Sequence, residues 1–318
     1  MKKIVWLLMM VMMPMVMMPM VANAAFSRNV DLEDEDELFC RLDQYIARRD
    51  EFSSKKEKKL IRMKKKLNIT SDKRERLNLY NQIYREYYTY RYDSAMVYAN
   101  RGLQLAEQLH DAYYIDLNKI NRAAVLSTGG FYSQAEDLLL SLNPEDISPK
   151  LRQYYYYTLT WVYNYWESFC ERSEFKEGML DKKRLYLAKT LEYVGNKQSA
   201  LYYYLSGELE YLLHRTDKKV LDWYQKALAA SSVDSRVHAS SAYCIARYYH
   251  DNEQMDLYEK YLVEAAISDQ VCPLKENLAL QELSTYLYNK DAKYAKRVSK
   301  YIYCSMEDAQ FYNNRLRM

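Results

Sequence analysis

The sequence predicts an all-α fold, a stack of helical hairpins, and three observations lead there. First, turn-forming residues are scarce: 318 residues hold 6 Gly and 5 Pro, where ordinary usage would give roughly 22 and 16. So few leave little room for β-hairpin turns, phosphate-cradling loops or long irregular stretches, and all-β, Rossmann and P-loop readings are excluded. Second, apolar residues recur at i, i+3 and i+4 in segment after segment, the period of one buried helix face. Third, Ala95, Ala135, Val220 and Ala292, each early in the second helix of a pair, are 40, 85 and 72 residues apart. Those separations are one, two and two units of about 36–42 residues. Helix pairs at a fixed period form a solenoid in which each hairpin buries its face on its neighbours.

The first element is a targeting segment, residues 1–24. Lys2 and Lys3 form a positive start, residues 4–21 are apolar with eight methionines, and Ala22-Asn23-Ala24 supplies small residues for cleavage after Ala24. A retained membrane anchor is the competing reading, since 18 apolar residues just suffice to span. Pro14, Pro19 and the A-x-A exit favour the signal peptide, so the mature chain is expected to be periplasmic or otherwise exported, with no further span. Removing two lysines leaves 44 basic and 43 acidic residues, a formal charge of +1. That balance gives no global electrostatic argument for nucleic acid. Five widely spaced cysteines without a C-x-x-C pattern do not indicate a disulfide scaffold, and an occasional disulfide stays open.

Residues 25–71 read as an acidic leader and a charged N-terminal helix. Between Lys55 and Lys66 stand eight basic residues against one acidic, which suits the C-terminal end of a helix dipole. A solvated helix face and an anion-binding patch both fit that run.

Residues 72–304 read as helical repeats. Leu77, Tyr80, Ile83, Tyr84, Tyr87 and Tyr88 mark one face, and Ala95, Tyr98, Ala99, Gly102, Leu103 and Ala106 the next. Gly129-Gly130 closes a helix over 113–128, and Ser133-Gln134-Ala135-Glu136 has the form of a capping box opening another. Ser148-Pro149 places a cap before a first-turn proline, starting a helix over 150–169. A helix over 177–194 stops at Gly195-Asn196. Further pairs are expected at 199–213 with 217–230, 234–250 with 253–268, and 273–288 with 291–304. Residues 305–318 are expected to hold a separate short helix, started by Ser305 with Asp308 completing a box.

These residues resemble tetratricopeptide repeats. Gly130-Phe131-Tyr132-Ser133-Gln134-Ala135 is similar to the repeat's G-x-Y-x-x-A turn, and Val220, Tyr224 and Ala227-Leu228 to its second-helix packing positions. A narrower resemblance rests on Leu42-Asp43-Gln44-Tyr45-Ile46, Tyr92-Asp93-Ser94-Ala95, the stretch 275–283 and the stretch 305–317. Together they resemble a Bacteroidetes family of exported tetratricopeptide proteins carrying a domain of unknown function. Longer members of that family continue through a transmembrane helix and a cytoplasmic coiled coil to a helix-turn-helix-like segment. The resemblance therefore implies the periplasmic sensor portion of a membrane-spanning transcriptional regulator, shortened here at Met318. It brings no site residues with it.

Catalytic material is thin, and the chain is expected not to be an enzyme and to need no cofactor or metal. His110, His214, His238 and His250 fit no metal-ligand spacing, and His250 suits the end of a helix. Cys244 and His250 are six apart, off a common face, and Glu208 with Glu210 point to different faces. No nucleophile elbow or phosphate loop occurs. Aromatic clustering is the remaining signal. Eight rings crowd residues 154–166, and consecutive helical positions turn by about 100°, so they cannot all face one core. Tyr156, Trp161, Tyr165, Trp166 and, from another helix, Tyr203 are the candidate groove residues. Flat amphipathic rings of this kind suit a peptide, protein or glycan ligand. The competing assignment puts those rings in the repeat core. The alternative function, a separate question, is a stand-alone glycan-binding or assembly-scaffold protein with no signalling role.

Overall fold

Caps and glycines cut the chain close to where the sequence places them. The computed structural model describes residues 35–170, 173–275 and 278–313; the signal peptide expected at residues 1–24 lies outside the described residues. Two helices come first, α1 (Glu35–Ala47) and α2 (Arg49–Ile69). Six hairpins follow among the described residues. They are α3 (Lys73–Tyr87) with α4 (Tyr92–Gln108), α5 (Ala112–Thr128) with α6 (Tyr132–Leu140), and α7 (Pro149–Ser168) with α8 (Ser173–Tyr193). Next are α9 (Ala200–Leu213) with α10 (Lys218–Ala229), α11 (Arg236–Asp251) with α12 (Met255–Val271), and α13 (Ala279–Lys290) with α14 (Ala295–Tyr312). No described residue is in a strand, and the architecture is the all-α helical-hairpin solenoid.

Local chemistry sets the starts and stops. The side chains of Asp72, Ser199, Asp217 and Ser235 each accept a backbone N–H in the first turn of α3, α9, α10 and α11, worth about 1 kcal/mol apiece. Gly130 closes α5 at φ 83°, a left-handed conformation that favours glycine, while Phe131 N–H returns to Leu126 O at 3.0 Å. Ala95, Ala135 and Val220 are fully buried where α4, α6 and α10 cross their partners.

Four local expectations are corrected. Ser133 does not cap: Phe131 is the N-cap residue of α6 and makes no side-chain cap bond, because the Glu136 carboxylate takes the Tyr163 hydroxyl and Lys182 instead. The helix expected from 273 begins at Ala279, since Leu274 N–H bonds back to Asp269 O and Lys275 N–H is drawn to Thr89 O. Ala292 is exposed: Asp291 caps a 3-10 turn over Ala292–Tyr294, which shifts the register so that Tyr294 and Val298 point inward. Helix α14 runs unbroken through Ser305, because Asp308 is not free to cap but pairs at 2.5 Å with the buried Lys275.

Most of the basic run of α2 is paired within the chain at its surface. Lys59 pairs with Glu86 at 2.7 Å and Lys66 with Glu75 at 2.7 Å, both on α3, while Lys55 pairs with Glu51 within α2. Lys56 and Lys64 lie over the rings of Tyr90 and Tyr87, each about 5.1 Å from the centroid. Pairs this exposed contribute little stability, but they account for the charge without a partner.

The two ends of the stack meet. Leu38, Phe39, Leu42 and Ile46 of α1 join the core made by α9 to α14. Asp43 receives Arg297 and Lys300 of α14, and Arg41 reaches Glu264 of α12 at 3.0 Å. From the other end, Phe311 packs on Tyr90 at 5.0 Å and the Tyr312 hydroxyl donates to Tyr88 O at 3.1 Å. With the bond from Lys275 N–H to Thr89 O at 2.9 Å, these contacts join the last hairpin to the first. The helices α7, α9 and α11 line a half-open space beside this junction.

Candidate functional site

Helical periodicity aims one stripe of each inner helix at that space. From α7 come Trp161, Asn164 and Tyr165, at i, i+3 and i+4; from α9 come Tyr204 and Glu208, at i and i+4. Helix α11 presents Arg236, Ala239, Ser240, Tyr243, Cys244 and Arg247, one unbroken face over three turns. Thr89, Asp269, Leu274 and Leu278 complete the wall, so residues from both ends of the chain line one cavity of about 200 Å³.

A buried ion pair forms its floor. Arg247 Nη2 donates to Glu208 Oε1 at 2.6 Å, and the same oxygen accepts from the Tyr224 hydroxyl at 2.6 Å and from Cys244 Sγ at 3.2 Å. Arg247 Nη2 also meets the Tyr224 hydroxyl at 3.0 Å, and the guanidinium stacks 3.8 Å from the Tyr211 ring centroid. Burial alone would push the Glu208 carboxyl up. Arg247, Lys183 and the bonds from Tyr224 and Cys244 outweigh it and hold it down at about 2. Burial, then the neighbouring Glu208 charge, pushes the Cys244 thiol up, so it is a poor nucleophile. Gly207 makes the arrangement fit: a Cβ there would stand 2.6 Å from the Tyr224 ring.

Behind the floor lies Lys183 of α8, 6% exposed. It lines a cleft of about 10 Å³ with Trp161, Asn164 and Glu208, three residues the cleft shares with the main cavity. Among the described residues Lys183 makes no hydrogen bond or direct ion pair, and burial lowers its pKa against the pull of Glu208.

Two of the five candidate aromatics, Trp161 and Tyr165, come together in the cavity, ring centroids 5.9 Å apart. The other three lie elsewhere. Tyr156 is 8% exposed between α7 and α8, stacked 5.6 Å from Tyr193. Trp166 stacks on Tyr163 and on Tyr132 of α6, and Tyr203 stacks on Trp223 of α10. Each sits on a face of its helix turned away from the cavity, where it fills a helix–helix seam.

The polar floor was the part that aromatic counting missed. Its signal is nonetheless in the sequence: Glu208 is four residues after Tyr204 and three before Tyr211. A charge in the middle of an apolar stripe needs a buried partner. The histidines stay outside the cavity; His214 pairs with Glu210 and His250 lies in the last turn of α11. Among the described residues no three His, Cys, Asp or Glu side chains are grouped to hold a metal ion, no disulfide is formed, and no helix is long and apolar enough to cross a membrane.

No curated protein matches the chain in sequence. A family model does: with its repeated hairpins and inward-facing helices, and a match over residues 46–318, the chain belongs to the SusR N-terminal TPR domain family.

Proposed function

We propose that this chain is an exported, non-enzymatic binding protein, the sensor portion of a regulator, that takes a compact glycan unit into its inner cavity. Tetratricopeptide-type repeats are interaction scaffolds, and the finer reading rests on one observation. Trp161, Tyr165 and Tyr243 surround a polar floor in a space of about 200 Å³ whose side is shut by the bond between Lys275 and Thr89. That is below the usual size of drug-like ligand sites and suits one ring rather than an extended peptide. Aromatic faces supply apolar area, while Asn164, Ser240 and Arg247 offer hydrogen bonds to hydroxyls.

Trp161 is the natural reporter, being the one tryptophan that lines the cavity. The test is a fluorescence titration of the mature chain with a panel of oligosaccharides and, separately, short peptides. A saturable change that vanishes in Trp161→Phe supports the reading. A change that persists in the variant places the ligand elsewhere. No response to any glycan, with binding of a folded protein partner instead, would leave the assembly-scaffold reading in its place.

A further inference from the structure

Around the cavity Arg236, Arg247 and the adjoining Lys183 stand against two carboxylates, Glu208 and Asp269, an excess of one cation. Glu208 is the carboxylate between two positive groups, Arg247 on one side and the buried Lys183 on the other. Arg247 is only partly covered, its side chain 30% exposed, and Nη2 carries its bonds to Glu208, Tyr224 and Cys244. Its Nη1 makes no hydrogen bond to any described residue, so a donor pair remains on the guanidinium edge of a cavity-lining residue.

Lys183 is the less expected of the two. A lysine whose side chain is buried without a direct partner for its charge costs stability, and an apolar side chain of the same length would serve packing better. Placed beside a cleft that shares Trp161, Asn164 and Glu208 with the cavity, its charge raises the local potential with little screening by solvent.

We propose that the ligand unit is acidic: a sugar acid of the hexuronate type, its carboxylate on the Arg247 edge and its ring against Trp161 and Tyr165. This rests on the cavity reading above and narrows it from glycans in general to carboxylated ones. A charged N–H donor binds a carboxylate more strongly than it binds a neutral hydroxyl. The buried Lys183 favours the anion at a distance without touching it, which makes it a positioning charge rather than a contact.

The experiment titrates the mature chain with glucuronate, galacturonate, glucose, galactose and free glutamate, reading Trp161 fluorescence. The acids should bind about tenfold or more tightly than the matched neutral sugars, the worth of one charge-assisted bond. Lys183→Met should shrink that ratio while leaving neutral-sugar affinity unchanged and the melting temperature equal or higher. A purely structural lysine would show the reverse, a lower melting temperature and an unchanged ratio, and that result overturns the proposal. Because the ratio is also read on the unaltered protein, a variant that fails to fold does not hide the answer. Neutral sugars binding as well as the acids overturn the acidic ligand and leave the glycan cavity standing. Glutamate binding more tightly than both sugar acids overturns the sugar class. If no sugar shifts the fluorescence, both this inference and the glycan reading fail.

Discussion

Helix α7 carries two aromatic faces that look alike in sequence and do opposite things. On one, Tyr155, Tyr156 and Tyr163 are buried, with Tyr163 stacked 5.6 Å from Tyr186 and Tyr156 stacked 5.6 Å from Tyr193 of α8. On the other, Tyr157, Trp161 and Tyr165 run at i, i+4 and i+8, half-exposed, and the last two line the cavity. The first face is a stacked seam between α7 and α8 that holds a hairpin together. The second stands against an ion pair and a buried lysine. What separates a packing ring from a binding ring here is therefore the neighbour across the gap: tyrosines on α8 in one case, Glu208 and Arg247 in the other.

The sharpest way to break that contrast is to empty the seam. Tyr163→Ala removes a fully buried ring that stacks on two others and donates to Glu136. It should cost about 3–5 kcal/mol in thermal or denaturant unfolding. Tyr163→Phe, which keeps the ring and loses only the hydroxyl, should cost about 1 kcal/mol. Equal losses from the two would mean that the hydroxyl, not the stack, holds the hairpin.

Next in size is the floor of the cavity. Glu208→Gln keeps the shape but leaves Arg247 beside a neutral amide, and it should destabilise by about 1.5–3 kcal/mol, the range for a hydrogen bond to a charged group. The same pair gives a pH dependence with a definite sign. The Glu208 carboxyl lies at about 2 in the folded chain against an ordinary 4.5, so the folded state favours its charged form. Its contribution is complete above the ordinary carboxylate range and is lost as pH falls from about 4.5 toward about 2. Unfolding curves across that window should show the stability difference between wild type and Glu208→Gln narrowing as pH drops. A difference independent of pH would assign the loss to packing.

Much of the fold was legible because its signals are local. Caps at Asp72, Ser199 and Asp217 and the glycine pair at 129–130 act within one turn, and the hairpin period follows from burial of one face per helix. The errors occur where a distant residue competes for a local one: Lys275 takes Asp308 from Ser305, and Tyr163 and Lys182 take Glu136 from Ser133. The lining of the candidate cavity was legible in part. Counting rings on α7 found Trp161 and Tyr165, and a helical wheel divides them from Tyr156 and Trp166. Nothing on the wheel says which face turns inward, since that depends on α1 and α14 closing the stack. Arg247 and Lys183 lie 39 and 25 residues from Glu208, and only the tertiary fold brings three lone charges into one place.

Among the ring deletions, the smallest expected effect on stability is also the one that discriminates best. Trp161→Ala or Tyr165→Ala takes a ring from the half-exposed face, where only part of its area leaves water on folding. Each should therefore cost less than about 2 kcal/mol. Tyr156→Ala, on the seam, should cost more although its ring is no larger, because its stacking partners on α8 stay behind around a hole. Ligand binding should follow the opposite order, with the Trp161 and Tyr165 variants losing about tenfold or more in affinity and the Tyr156 variant, while folded, losing none. An inverse ranking of stability and affinity across three rings of one helix is hard to produce by general damage. If affinity instead falls in step with stability, the cavity face is only another part of the core, and the two faces of α7 differ in exposure but not in purpose.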